Sequence, residues 1–163
     1  MASATYLQSL DSVYEDGTSR GITPSNRRQI ESFIVAEPIA KNDMVCLDLA
    51  QTGAGKQVLY IKKASRSTGP TCLAIGFALE DATAADVTAG KAIQVTVAGA
   101  HLDAAVVTGA AVGARLIAPD AAAPGGVAGR AEEYTGAESV PAIAYSLELA
   151  AGNVADVFVI KQF

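Results

Sequence analysis

Few residues in this 163-residue chain have the types and spacing that chemistry requires. The string TGAGKQ, residues 52–57, comes nearest, because it matches the end of a phosphate-binding loop. That loop also needs a glycine at position 50, a serine or threonine at position 57, and a helix directly after it. Here Ala50 and Gln57 occupy those positions, and the strand-like run VLYI follows. We therefore interpret Gly53 and Gly55 as turn residues with positive φ.

The ionisable side chains do not form a catalytic set. His101 is the only histidine, which excludes a site with two histidine ligands, and we expect it to be solvated. Adjacent carboxylates occur at Glu80 and Asp81 and at Glu132 and Glu133, but neighbouring side chains on a strand point to opposite faces. Neither pair predicts a general acid with its base. The sequence therefore predicts no enzyme, no cofactor and no metal site.

The two cysteines and the basic cluster also favour structural roles. Cys46 and Cys72 lie in the apolar runs MVCLDL and PTCLAI, without CxxC spacing. We expect buried, reduced thiols, with a disulfide or a metal role as the alternatives. The basic cluster LYIKKASR contains Lys62, Lys63 and Arg66. We interpret it as a charged strand edge that blocks unwanted pairing, in preference to a ligand patch.

The composition restricts the class of protein. Half of the residues are apolar, only 6% are aromatic, and 33 are alanine, so small side chains must fill much of the core. The net charge of −5 argues against a nucleic-acid partner, because that affinity depends on Lys and Arg. The sequence predicts neither a signal peptide nor an apolar run long enough to cross a membrane. We expect a protein made soluble in a cytoplasm, with no membrane partner.

The chain divides into an arm and a body. Residues 1–28 are polar, with Gly17, Gly21 and Pro24 as turn formers and no sustained period of 3.6 or 2. From Gln29 to the end, short apolar runs alternate with turn signals every eight to twelve residues or so. The run LEDATAADVTAG permits one short helix. We predict a mainly β fold, a small barrel or sandwich with at most one short helix and an extended N-terminal arm.

The body contains an internal echo. AIGFALED, residues 74–81, is similar to AIAYSLEL, residues 142–149, and the flanking segments also align. We predict two similar β-meander halves, about 29–100 and 101–163, neither of which closes its apolar face alone. Alternation then places the paired residues of the two echoing strands in the core; these are Ile75, Phe77 and Leu79 with Ile143, Tyr145 and Leu147.

Several of these motifs together resemble a known family. The order of KNDMVCLD, AIGFALED, GKAIQVTVAGAH, VTGAAVGARLI and AIAYSLELAAGNVADVFVI is similar to that in the head decoration (capsid cement) proteins of tailed bacteriophages. The resemblance covers residues 30–163, and its motifs are apolar and glycine-based. Ala144, where the first copy has Gly76, and the duplicated Leu-Glu element depart from the single-copy pattern.

The resemblance implies a non-enzymatic virion protein on the outer capsid surface. Such a protein binds the major capsid protein, commonly as a homotrimer, and stabilises the head by bridging neighbouring capsid subunits. An arm could add a strand to a capsid-protein edge. Because Arg and Tyr are favoured at interfaces, we expect the capsid contacts to include Tyr6, Tyr14, Arg20, Arg27 and Arg28.

Other interpretations stay open at this stage. The arm could be disordered and carry no contact. The protein could be a phage fibre or knob component that binds a receptor, which differs from a cement protein in its place on the virion. A small-substrate hydrolase is the alternative from another class, and it would require a nucleophile, a base and an orienting residue that the sequence does not bring together.

Overall fold

Strands dominate the computed structural model of the protein, which describes residues 28–53, 55–66, 72–123, 126–136 and 140–160. Within these residues the strands are β1 (Arg28–Val35), β2 (Met44–Asp48), β3 (Tyr60–Lys63), β4 (Cys72–Ala78), β5 (Ala92–Ala105), β6 (Arg115–Ile117), β7 (Glu132–Glu133), β8 (Ala144–Ser146) and β9 (Val154–Val159). A 3-10 helix spans Lys56–Val58, and the α-helix α1 spans Ala84–Ala89. The predicted mainly β fold with one short helix is confirmed.

Helix α1 forms where the run LEDATAADVTAG predicts it. Thr83 caps its start: the Asp86 amide donates to the Thr83 hydroxyl oxygen, and the Asp86 carboxylate accepts from the Thr83 amide. These reciprocal bonds satisfy two amides that the first helical turn would otherwise leave unpaired. Bonds from the Thr83 amide and hydroxyl also hold the pKa of Asp86 below its usual range. Gly90, with φ of 67°, ends the helix in the left-handed conformation.

The first five strands close into a barrel in the order β1-β3-β2-β4-β5. Closure comes from antiparallel pairing of β1 with β5, from Arg28 opposite Gly99 to Ile34 opposite Ala92. The interior is filled by apolar side chains, namely Phe33, Val35, Ile39, Val45, Leu47, Ile61, Ile75, Ala78, Ala82, Ile93, Val95 and Val97. The prediction that neither half closes alone is therefore wrong, because β1 supplies the strand that completes the barrel.

The remaining strands extend the sheet outward from β5 in the order β9-β8-β6-β7. On the other side of β5, within the barrel, the strands follow in the order β4-β2-β3. The aligned segments place β6, β8 and β9 against β2, β4 and β5, and these strands follow the same order in the two parts of the sheet. The repeat boundary at residues 100 and 101 falls inside β5, which pairs with strands of both halves.

A second core lies between the barrel and this outer layer. It comprises Met44, Cys46, Ala64, Ala74, Phe77, Ala104, Val106, Ala110, Leu116, Ala118, Ala131, Ile143, Ala144, Ala150, Ala155, Val157 and Val159, so nine of its 17 residues are alanine. Small side chains therefore fill much of this core, as the composition predicts. β2 is buried on both faces, because Val45 and Leu47 belong to the barrel core and Met44 and Cys46 to the second core.

The echoing strands do not face the core in the way that simple alternation predicts. In β4, Ile75 lies in the barrel core but Phe77 lies in the second core, because a bulge in the pairing with β2 skips Ile75. Leu79, after β4, is only half-buried. In the second copy Ile143 is buried, as predicted, whereas Tyr145 is 40% and Leu147 50% exposed. The predicted core placement of Tyr145 and Leu147 is wrong, since β8 turns Ala144 and Ser146 inward instead.

Gly76 explains one difference between the two copies. A Cβ atom at this position would lie 1.9 Å from the Thr96 carbonyl oxygen on β5. A glycine is therefore required for β4 to approach β5 at the bulge. Ala144 at the equivalent position in β8 is accommodated in the second core, with its side chain buried.

Candidate interaction surface

The sites that the sequence singled out have structural roles in the described part of the chain. Gly53 and Gly55 have φ of 117° and 77°, so the interpretation of TGAGKQ as turn-forming is confirmed. The 3-10 helix Lys56–Val58 and then β3 follow. A phosphate-binding loop would need a longer helix there.

His101 is buried, so the expectation of a solvated histidine is wrong. Its side chain is 1% exposed, and its ring lies against Phe77, with ring centroids 5.3 Å apart. Nδ1 is 3.0 Å from the Thr96 hydroxyl oxygen, and Nε2 is 3.1 Å from the Asn42 side-chain oxygen. A neutral ring that accepts at Nδ1 and donates from Nε2 satisfies both contacts.

The charge environment keeps the His101 ring neutral. Burial, together with the positive charges of Arg28 and Lys41, lowers the pKa of His101 from 6.5 to about 4, and Asp156 opposes this shift. The hydrogen bond to Asn42 also links β5 to the turn before β2, where Asn42 has a φ of 71°. The arrangement is a buried polar link between two elements, because the Thr96 hydroxyl beside the ring is itself fully buried.

Cys46 and the basic cluster also have internal partners. Cys46 is a buried cysteine outside any disulfide, as predicted, and its sulfur lies 3.7 Å from the Lys63 carbonyl oxygen. Lys62 pairs with Asp48 and Lys63 with Asp43, each at 3.2 Å. An ion pair also joins Arg66 to Glu132 of β7. The interpretation of this cluster as a charged sheet edge is wrong, because β3 lies between β1 and β2 and the cations are paired with carboxylates.

Most of the predicted capsid contacts lie outside the described residues. These are Tyr6, Tyr14, Arg20 and Arg27. Arg28 is the first residue of β1, half-buried and opposite Gly99 of β5. The structure therefore gives a position for one of the five predicted contact residues.

An exposed row of large side chains crosses the outer layer. Following the strand pairings, Ala100 of β5 lies opposite Phe158 of β9, Phe158 opposite Tyr145 of β8, and Tyr145 opposite Arg115 of β6. The Arg115 guanidinium then lies 4.9 Å from the centre of the Tyr134 ring. Phe158 and Tyr145 are 45% and 40% exposed. Aromatic and arginine side chains are the types enriched in the energetic centres of protein interfaces.

A second row runs beside the first. Leu147, in the segment after β8, has a side chain that is 50% exposed. Its backbone amide donates a hydrogen bond to the Asp156 carbonyl oxygen on β9. The Asp156 carboxylate accepts from the Asp103 amide, and the Asp156 amide donates to the Glu148 carboxylate. Asp103, Glu148 and Asp156 thus form an acidic cluster. We call the surface formed by Phe158, Tyr145, Leu147, Asp156 and Glu148 the outer face.

Sequence reasoning missed the outer face. The apolar residues of AIAYSLEL alternate as a half-buried strand does, but the side that carries Tyr145 and Leu147 points to solvent. The available signal was the pairing of aromatic residues with acidic neighbours in both YSLEL and ADVFV. Acidic residues such as Glu148 and Asp156 are uncommon on a strand that is buried on both faces.

The described residues also bear on metal binding and on membrane insertion. No group of three or more His, Cys, Asp or Glu side chains in them could hold a metal ion. No helix in them is long and apolar enough to cross a membrane.

Comparisons with known proteins bear on the fold. No family model and no curated protein matches the sequence. Among solved structures, the fold is similar to that of the head fiber gp8.5 N base of bacteriophage phi29, with a TM-score of 0.51 at 15% sequence identity. The similarity covers 82% of this chain and 94% of that chain. The protein therefore has a fold that also occurs in the base of a phage head fiber.

Proposed function

We propose that this protein is a non-enzymatic structural component of a tailed-phage head. The observation that carries the proposal is the fold likeness to a phage head fiber base, which extends over most of both chains. The sequence resemblance to head decoration proteins points to the same particle. The packed barrel interior fits a role in which the protein serves as a rigid body.

Within that class, the proposed role is capsid decoration. The protein binds the outer surface of the head and bridges neighbouring major capsid subunits, which raises the resistance of the shell to internal pressure. The residues that carry the resemblance form the strands β2, β4, β5, β6, β8 and β9, so their buried side chains build the body.

The arm is one proposed source of those contacts. Residues 1–27 lead into Arg28 at the start of β1. Added as a strand to an exposed edge of the capsid protein, they would provide main-chain hydrogen bonds, and Tyr6, Tyr14, Arg20 and Arg27 would provide specificity. Self-association as a homotrimer would multiply weak single contacts on a threefold shell position. Light scattering of the purified protein tests this: a trimer is expected, and a strict monomer counts against it.

A head-fibre base is the second candidate function. The same structural likeness favours it, because the similar protein is itself the base of a head fiber. The two roles differ in geometry: a decoration protein covers the shell, whereas a fibre base marks the positions from which longer appendages project.

Electron microscopy of the purified virion separates the two roles. A decoration protein gives density across the shell and a copy number comparable to that of the major capsid protein. A fibre base gives density only at the foot of an appendage. If the protein is absent from purified heads, both roles are excluded. Activity-based probes that label a serine or cysteine stoichiometrically would instead restore the hydrolase alternative.

A further inference from the structure

The outer face combines large exposed apolar side chains with carboxylates that form no ion pair within the described part of the chain. Phe158, Tyr145 and Leu147 are between 40% and 50% exposed. Leu102, Leu149 and Val154, on the same strands or next to them, are 49%, 62% and 43% exposed. Clustered exposure of this kind marks interaction sites on folded proteins.

The carboxylates define the charge of the surface. Asp156 lies on β9 between Val154 and Phe158 and opposite Leu147, so apolar side chains flank it along β9 and on the segment after β8. Asp156 and Glu148 each use one oxygen to accept a backbone amide, and among the described residues neither forms an ion pair. The second oxygen of each group accepts no hydrogen bond from the described residues and can accept one from an incoming donor.

We infer that the outer face is a docking surface for another protein, one that presents an arginine or lysine from an apolar patch. This inference rests on the proposed function, and it assigns the partner on this face to the shell of the phage head. The basic side chain would lie against Asp156 and Glu148, with its stem on Leu147 and Phe158. Tyr145 and Phe158 would be the aromatic anchors.

Charge complementarity favours this partner over two others. A second copy docked face to face would bring its own Asp103, Glu148 and Asp156 against the same three carboxylates, and like charges brought together in an interface are repulsive. Nucleic acid is disfavoured for the same reason, because its phosphates are negative. A partner with an apolar patch and a basic side chain matches both features of the surface.

The charge test uses isosteric substitutions. The double variant Glu148→Gln and Asp156→Asn removes both charges and keeps the oxygens that accept backbone amides. The probe is phage heads assembled without this protein, and binding is measured by co-sedimentation at low and high salt. We expect affinity to fall about tenfold or more at low salt, with a weaker salt dependence. The control Glu80→Gln removes one carboxylate charge two residues after the end of β4 and should bind normally.

The apolar anchors have a matched test. Phe158→Ser should weaken binding about tenfold or more, because it removes an aromatic anchor. Leu59→Ser is the control, since Leu59 is 51% exposed beside β3 in the barrel. Urea unfolding of each variant checks that the molecules compared are folded. Equal binding of the wild-type protein, the charge variant and Phe158→Ser would overturn the inference and leave the proposed function intact.

A photo-crosslinking residue at position 145 identifies the occupant. On the assembled head it should form a cross-link to a shell protein, within a peptide that contains Arg or Lys. A cross-link to a second copy of this chain, or none above that from position 59, would overturn the inference. If the wild-type protein does not bind heads at all, the proposed function fails, and this inference fails with it.

Discussion

At the scale of single residues, His101 makes stability depend on pH. Its pKa is about 4 in the folded protein and 6.5 ordinarily, so between these values the unfolded chain binds more protons. The stability is fully present above pH 6.5 and is lost as the pH falls toward 4. We expect His101 to account for a loss of about 3 kcal/mol over this window.

Urea unfolding at a series of pH values measures this loss. The variant His101→Gln has no titratable ring, so its unfolding free energy should fall less steeply between pH 6.5 and 4. The carboxylates contribute to both proteins and cancel in the comparison. Parallel pH profiles for the two proteins would contradict the assignment.

Gly76 is the second residue whose effect can be predicted. The substitution Gly76→Ala places a methyl group 1.9 Å from the Thr96 carbonyl oxygen, and backbone atoms must move to relieve the contact. We expect a loss of about 1–3 kcal/mol in unfolding free energy. The matched exchange Ala144→Gly in the second copy removes a buried methyl group and adds no clash. It should cost about 1 kcal/mol through lost burial and chain entropy. Denaturation that ranks Ala144→Gly as the more harmful change would contradict this account.

At the scale of elements, the two echoing strands are expected to differ in sensitivity. Ile143 is 2% exposed in the second core, so Ile143→Ala should cost about 2–5 kcal/mol. Leu147 is 50% exposed on the outer face, and Leu147→Ala should cost roughly 0.5 kcal/mol or less. Chemical denaturation of the two variants checks this, and near-equal losses would indicate that Leu147 is covered.

The same strands show what can be predicted from the sequence. Period-two runs, turn glycines and the run LEDATAADVTAG are local signals, so the fold class and the short helix were within reach. The face of the sheet on which each side chain lies could not be predicted, because the bulge at Ile75 moves Phe77 from the barrel core into the second core. Burial of β2 on both faces likewise depends on the second layer. The outer face escaped prediction because Tyr145 is apolar enough to be taken for a core residue.

At the scale of the whole molecule, the arm and the barrel should respond differently to truncation. Deleting residues 1–25 leaves β1 complete, so the unfolding free energy should be nearly unchanged while head binding weakens. Deleting residues 1–35 removes β1 and its pairing with β5, which should abolish cooperative unfolding. Thermal melts and head co-sedimentation measure the two effects. Loss of folding in the shorter deletion would show that the arm belongs to the body.

The closure of β1 on β5 has a consequence for the order of folding. It joins residues 28–34 to residues 92–99, with β2, β3 and β4 in the intervening chain. During synthesis the barrel cannot close until Gly99 has left the ribosome, and bringing such distant segments together carries an entropic cost before the contacts form. Folding should therefore be limited by this long-range step and be slow for a protein of this size. Until then β1 has an open edge, so the nascent chain is most exposed to aggregation just before β5 emerges.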